Sequence, residues 1–374
     1  VSFHKVLLLT SEFPPQPGGI GNHAFHLAKG LQGHEHSVTV ICDDRSKTGK
    51  EEEVFDAAAD FNVIRTSRKT LALIKYFKRI QIAVSNAHKN DTIIASGKFS
   101  LWLAAFLSLF FQKKYIAVIH GSEVQLSNSL LKWITNGSLK RFHKVIAVSH
   151  YTKSLVSELN LKNIQVIPNG FSLEHTFPVE EEKSPVPVLI TVGNVTQRKG
   201  QHNVIKALPI LLENYPDLKY HIVGIPTEKE KLQQLLLRLG VEKSVVFHGK
   251  VTETKKIKML QDADVFIMLS EITKTGDAEG FGIAILEANS LGIPAIGAKG
   301  CGIEDAIKNG YSGKLIENDN PQQCKEALQE ILSNYEVYSE GAKNWSQNFT
   351  WDKIIQSYLT ILERNDEKIT EPFD

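Results

Sequence analysis

Short runs of apolar and β-branched residues alternate with helical periodicity from one end of the chain to the other. Val6-Leu7-Leu8-Leu9 is followed by a helical pattern over 20–31 and then by Ser37-Val38-Thr39-Val40-Ile41. Further runs occupy 92–94, 115–119, 145–148 and 164–167. Several are apolar nearly throughout, as strands covered on both faces are. Strands that alternate with helices need right-handed crossovers, so the pattern predicts a parallel sheet.

The pattern breaks at Pro178–Pro187, where Glu180-Glu181-Glu182-Lys183-Ser184-Pro185 reads as a polar, proline-bearing linker. It restarts at 188–192 and continues through 220–223, 245–247, 265–268 and 294–296. The chain is therefore expected to be α/β, with two Rossmann-like doubly wound domains over 1–177 and 178–350. A closing helical pattern, Trp351 through Leu362 (about 351–374), is expected to pack back on the first domain. A chain of 374 residues has room for two such cores. In open α/β sheets ligands sit beyond the C-terminal strand ends, which places the expected site in a cleft between the domains.

Charge sharpens this. The net charge is +1, but residues 1–176 carry a surplus of eight positive charges and the remainder a surplus of seven negative ones. Such asymmetry fits an anionic partner approached by the first domain, and ordinary surface variation produces it as well. Three cysteines are too few for a disulfide framework or a zinc site and suit a reduced, cytoplasmic setting. The residues before Val6 show no signal-peptide pattern. The longest apolar stretch, 100–111, is about 12 residues where a bilayer span takes about 20, so it reads as a buried helix.

Arg65, Arg68, Lys69, Lys75, Lys78 and Arg79 interleave with Leu71, Leu73, Ile74, Tyr76, Phe77 and Ile80. This reads as a basic amphipathic helix over 65–80, with Lys113-Lys114 as a second patch. The expectation it raises is peripheral attachment to anionic lipid on the inner membrane face. A core-facing surface helix carries the same pattern. Nothing in the sequence calls for a nucleic-acid partner.

Gly18-Gly19-Ile20-Gly21-Asn22-His23-Ala24 follows the first strand and opens a helix. Read from Gly19 it matches the G-x-G-x-x-G/A dinucleotide fingerprint, and Asp43-Asp44 follow at about the required 20 residues. That would make the chain a nicotinamide-dependent oxidoreductase. The fingerprint needs a tight turn off the strand, however, and 11–17 with three prolines intervene. A glycine loop ahead of a helix still offers backbone N–H groups to a diphosphate or a reacting sugar.

The second half carries Asp277-Ala278-Glu279-Gly280-Phe281-Gly282-Ile283-Ala284-Ile285-Leu286-Glu287-Ala288. Gly280 and Gly282 let a ligand approach the backbone, and the helix that follows favours an anion at its N-terminus. Glu279 falls ahead of that helix and Glu287 about two turns into it. Carboxylates at both places suit a ligand with hydroxyls on either side of a phosphate bridge. Glu287 among Ile285, Leu286 and Ala288 is out of place for a solvated face.

This segment resembles the signature of family-4 retaining glycosyltransferases, which have the GT-B fold of two Rossmann-like domains facing each other across a cleft. Matches along the chain include the Pro-x-x-x-Gly-Gly-Ile-Gly loop over 14–21, His120-Gly121, Val148-Ser149, Ile167-Pro168-Asn169-Gly170, Arg198-Lys199-Gly200 and Phe247-His248-Gly249. The resemblance implies that Glu287 binds ribose hydroxyls and that Glu279 binds the donor sugar near the reacting centre. Lys199 would meet the diphosphate, and Gly280, Phe281, Gly282 and Ile283 would lie along sugar and phosphate. His120 would face the donor sugar. Gly18, Gly19 and Gly21 would close on the donor, with Gly224 and His248 lining the base site.

Where the family usually carries an arginine, Asn194 stands here, and Arg198 is the nearest guanidinium. Retention ordinarily implies a carboxylate nucleophile. The resemblance implies instead a front-face substitution assisted by the leaving diphosphate, without metal or other cofactor, in which Glu279 positions and stabilises. The donor would be a GDP- or UDP-sugar, with Asp277-Ala278-Glu279 resembling mannosyl transferases of the family. The acceptor would be a hydroxyl of a glycan or a lipid-linked sugar. A non-catalytic nucleotide-sugar binding protein is a further reading, to which Asn194 lends support.

Overall fold

A computed structural model of the chain describes residues 3–46, 48–67, 72–172 and 186–363. The expected linker falls on 173–185 apart from Val186 and Pro187, and Arg68, Lys69 and Leu71 also lie outside the described residues.

The chain divides into two compact units, Val1–Gly170 with Trp351–Asp374, and Phe171–Thr350. The first holds strands β1 Lys5–Thr10, β2 Ser37–Asp43, β3 Asn62–Thr66, β4 Thr92–Ser96, β5 Lys114–Ile119, β6 Lys144–Ala147 and β7 Ile164–Val166. They form one parallel sheet in the order β3-β2-β1-β4-β5-β6-β7. β1 pairs on both sides and is buried from Val6 to Thr10, which is what its apolar run predicts. Helix Trp351–Glu363 belongs to this unit and packs on helix Gly19–Gly33: Gly30 admits Ile355 there, and Trp351 stacks on His26.

The second unit holds β8 Val188–Val192, β9 Lys219–Val223, β10 Val245–Gly249, β11 Val265–Met268, β12 Ala295–Ala298 and β13 Gly313–Ile316. They too are parallel, in the order β10-β9-β8-β11-β12-β13. Its core is built from inward strand residues such as Leu189, Tyr220 and Ile267 against Val204, Leu208 and Leu211 of helix Gln201–Asn214.

Both sheets reverse strand order once, between β1 and β4 and between β8 and β11. The reversal opens a crevice at the C-terminal strand ends, where an open sheet binds ligand.

Three expectations are corrected. The basic helix over 65–80 does not exist as drawn, because Arg65 lies on strand β3 and the helix runs Ala72–Ala87. Arg65 donates to both carboxylate oxygens of Asp56 at 2.7 Å, and Arg79 turns inward, 2% exposed, onto Asp43 at 2.9 Å. Two of the expected surface cations are thus structural. Lys114 is likewise engaged, its Nζ donating to Ile361 O at 2.5 Å. The apolar run 100–111 is buried only in part, since Phe106, Leu109 and Phe110 face solvent.

Candidate active site

In the second unit the loops after β8 and β11 meet at the reversal point. The first carries Arg198 and Lys199, in a short 3-10 turn ended by Gly200. Gly200 has φ 72°, and a Cβ there would lie 1.7 Å from Leu269 O, so the loop can close on the β11 end only with glycine. Glu271 clamps the same contact from the other side. Its N–H donates to Arg198 O at 3.1 Å, and its carboxylate accepts from Gln197 at 2.6 Å and meets His202 at 3.0 Å.

The loop after β11 returns as Asp277-Ala278-Glu279. The buried Glu279 meets Lys199 Nζ at 2.9 Å and the Arg198 guanidinium closer still, while Arg198 Nε lies 3.3 Å from Asp277. Adjacent Arg and Lys side chains therefore aim at one carboxylate. Burial raises the Glu279 pKa, but Lys199 and Arg198 outweigh it and hold the carboxyl below its ordinary value. Arg198 is raised in turn, chiefly by Glu279. Asn194 is exposed and neutral, so the cations at this place are Arg198 and Lys199.

Gly280, Phe281 and Gly282 lead into helix Ile283–Ser290. Gly282, at φ 101°, is its N-cap and bears no capping side chain, so the first-turn N–H groups have no side-chain acceptor there. The Phe281 ring is buried 5.9 Å from the Phe349 ring, which leaves only its backbone to face a ligand. Glu287 is half-buried, and Lys256 meets it at 2.9 Å and also holds Glu253 at 2.6 Å. Burial pushes the Glu287 pKa up, and Lys256 offsets this only in part. Gly224 follows β9 and donates to Gly249 O at 2.9 Å. His248 on β10 lies 4.9 Å from the His221 ring, and its Nε2 is buried without a hydrogen-bond partner among the described residues. Lys256, Glu271 and the Asp277–Arg198 pairing were not singled out in the sequence. Lys256 sits in an ordinary surface run of lysines, and Glu271 precedes a polar loop with no motif.

In the first unit Gly18 caps helix Gly19–Gly33, and Gly21 lies where a Cβ would be 3.0 Å from the Glu12–Phe13 backbone. β1 ends at Thr10, so 11–18 separate strand from helix, too far for the dinucleotide fingerprint's tight turn. Asp43, the residue that fingerprint would put on a ribose, is 4% exposed and bound to Arg79 and Thr66. His120 follows β5. Its Nε2 meets Ser96 Oγ at 2.9 Å, and its ring lies edge-on to His23 at 5.0 Å. Burial lowers its pKa to about 3, so it is neutral at pH 7. Glu123, 2% exposed, accepts from His120 N at 3.1 Å and fixes the turn, while burial lifts its carboxyl to about 7.

Two family models cover nearly all of the chain: glycosyltransferase family 4 over residues 17–175 and glycosyl transferases group 1 over 174–349. The chain belongs to glycosyltransferase family 4. The nicotinamide reading falls with that assignment, and the protein is a glycosyltransferase of GT-B fold. Among its relatives, an uncharacterized glycosyltransferase of Methanocaldococcus jannaschii is 27% identical over 96% of this chain and 98% of its own. A GDP-mannose-dependent α-(1-6)-phosphatidylinositol monomannoside mannosyltransferase of Mycobacterium tuberculosis is 24% identical over 97% and 99%. Anabaena HepE, solved with UDP and glucose, superposes with a TM-score of 0.78 at 20% identity, over 96% and 99% of the two chains. No helix among the described residues of this glycosyltransferase is long and apolar enough to cross a membrane.

Proposed function

We propose that this glycosyltransferase moves a hexose from a nucleoside diphosphate sugar to a hydroxyl of a glycan or lipid-linked acceptor, with retention and without a metal. The observation that carries the reading is the convergence of Arg198 and Lys199 on Glu279 at the strand-order reversal, beside the N-terminus of helix Ile283–Ser290. Two cations and a helix N-terminus are what a diphosphate needs. A bound diphosphate would compete with Glu279 for both cations and free that carboxylate to accept hydrogen bonds from sugar hydroxyls.

As the bond from anomeric carbon to phosphate oxygen breaks, Lys199 and Arg198 would take up the charge gathering on the leaving diphosphate. The acceptor oxygen would bond to the anomeric carbon on the same face and pass its proton to the departing phosphate oxygen. Glu279, released by the diphosphate to the sugar hydroxyls, would position and stabilise in this scheme and form no covalent intermediate. The neutral His120 would donate or accept a hydrogen bond to the sugar, and Glu287 would accept from ribose hydroxyls. The GDP-mannose-dependent relatives support a guanosine donor, whereas the HepE complexes with UDP and UDP-glucose support uridine.

A melting-temperature panel of GDP- and UDP-sugars tests this, repeated with Glu287→Ala. A donor at about 100 times its Kd adds about 2.7 kcal/mol. A shift with one donor class, lost in Glu287→Ala, is expected. No shift with any sugar nucleotide would overturn the reading, and the product anomer seen by NMR would decide retention.

A further inference from the structure

The apolar run at 100–111 leaves the core before it ends. In helix Lys98–Leu107 the residues Leu101, Leu103, Ala104 and Leu107 are buried, but Phe106 is 43% exposed. Leu109 and Phe110, just beyond, are 55% and 66% exposed. The Phe106 and Phe110 rings meet at 5.1 Å, edge to face, and so form an aromatic pair in contact with water.

The same segment runs on into an open recess of about 900 Å³. Phe111 lines it with Lys113, Lys114, Lys140, Arg141 and His143, and Asp91 adds a carboxylate. Lys140 and Arg141 are exposed. All of this lies at the N-terminal strand ends: Asp91 precedes β4, Lys114 opens β5, and His143 precedes β6. His120 follows the opposite end of β5, a strand of six residues or about 20 Å. The recess is thus no part of the site described above.

We propose that this end of the first unit docks on an anionic lipid bilayer, with Phe106, Leu109 and Phe110 entering the interface while Lys113, Lys140 and Arg141 meet lipid phosphates. A bilayer surface asks for apolar side chains beside cations, the first below the headgroups and the second among them. A dissolved polyanion would use the cations and leave the aromatic pair in water. A neutral apolar partner would cover the pair and leave Lys113, Lys140 and Arg141 facing Asp91. Only the anionic interface uses both halves of the patch. The surface lies elsewhere than helix Ala72–Ala87, on which the sequence placed membrane attachment, and it does not rest on the proposed donor chemistry.

The test is co-sedimentation of the full chain with vesicles of phosphatidylcholine and phosphatidylglycerol, against phosphatidylcholine alone, at low and high salt. Binding is expected with the anionic vesicles and should weaken with salt. Each Lys or Arg near such a surface is worth roughly five-fold in binding, so Lys140→Glu/Arg141→Glu should lower partitioning by at least about 20-fold. Phe106→Ser/Phe110→Ser should lower it too, and Lys75→Glu/Lys78→Glu should leave it unchanged. All three variants should keep the wild-type melting temperature. Equal binding to neutral vesicles, no binding to either, or loss only in the Lys75/Lys78 variant would overturn the proposal. Vesicle binding without any sugar-nucleotide shift would sink the donor reading and leave this one standing.

Discussion

Replacing Lys199 by methionine removes an ammonium and keeps most of the side-chain volume. In the donor-free protein Glu279 would retain Arg198 as counter-charge. The Lys199–Glu279 contact is 2.9 Å long, with side chains 14% and 11% exposed, so the fold should lose the worth of one charged hydrogen bond, about 1.5–3 kcal/mol. Turnover should suffer differently. The leaving diphosphate gains charge in the transition state, where one preorganised partner is worth about 3–4 kcal/mol. That amounts to a fall of about 10²–10³ in kcat. Steady-state release of nucleoside diphosphate, measured beside a melting curve, separates the two effects. The expected result is the full loss in kcat with little change in donor KM and a drop of several degrees in Tm. A raised KM with kcat retained would refute the argument, because Lys199 would then bind donor and transition state equally.

Two further expectations rest on carboxylates, one buried and one partly exposed. Glu123 has its folded pKa lifted to about 7 by burial, so its contribution to stability is fully present below its ordinary value of about 4.5 and is lost as pH rises towards and through 7. Glu123→Gln should flatten the stability profile between about pH 5 and 8, as measured by denaturant melts across that range, and an unchanged slope would refute it. Glu271→Ala should free the Arg198–Lys199 loop and cost about 10²-fold in kcat, since an ångström of misplacement is enough. Glu271→Gln, which keeps an acceptor for Gln197, should recover part of the loss; equal loss in both variants would show that the clamp does not act through this hydrogen bond.

Much of this was legible in the sequence for a simple reason. Strands buried on both faces declare themselves as apolar runs, and β1, β5 and β11 were found that way. β3 and β13 were not, because in Asn62-Val63-Ile64-Arg65-Thr66 and Gly313-Lys314-Leu315-Ile316 polar residues and glycine leave only two apolar residues in a row. Ion pairing misled the reading of Arg65 and Arg79. A charge joined to Asp56 nine residues away, or to Asp43 thirty-six away, looks in sequence like one exposed to water. The Lys256–Glu287 contact, 31 residues apart, escaped for the same reason. Local patterns report on burial, while pairing depends on which loops the sheet order brings together.

Helix Trp351–Glu363 has a consequence for how the chain is made. The first unit is split in sequence, with the whole of Phe171–Thr350 synthesised between Gly170 and its last helix. Until Ile355 and Tyr358 emerge from the ribosome, the face of Gly19–Gly33 that they meet at Gly30 and His23 stays wet. The unit translated first is therefore the last to be completed. The intervening one, whose strands are contiguous, can form while its predecessor waits.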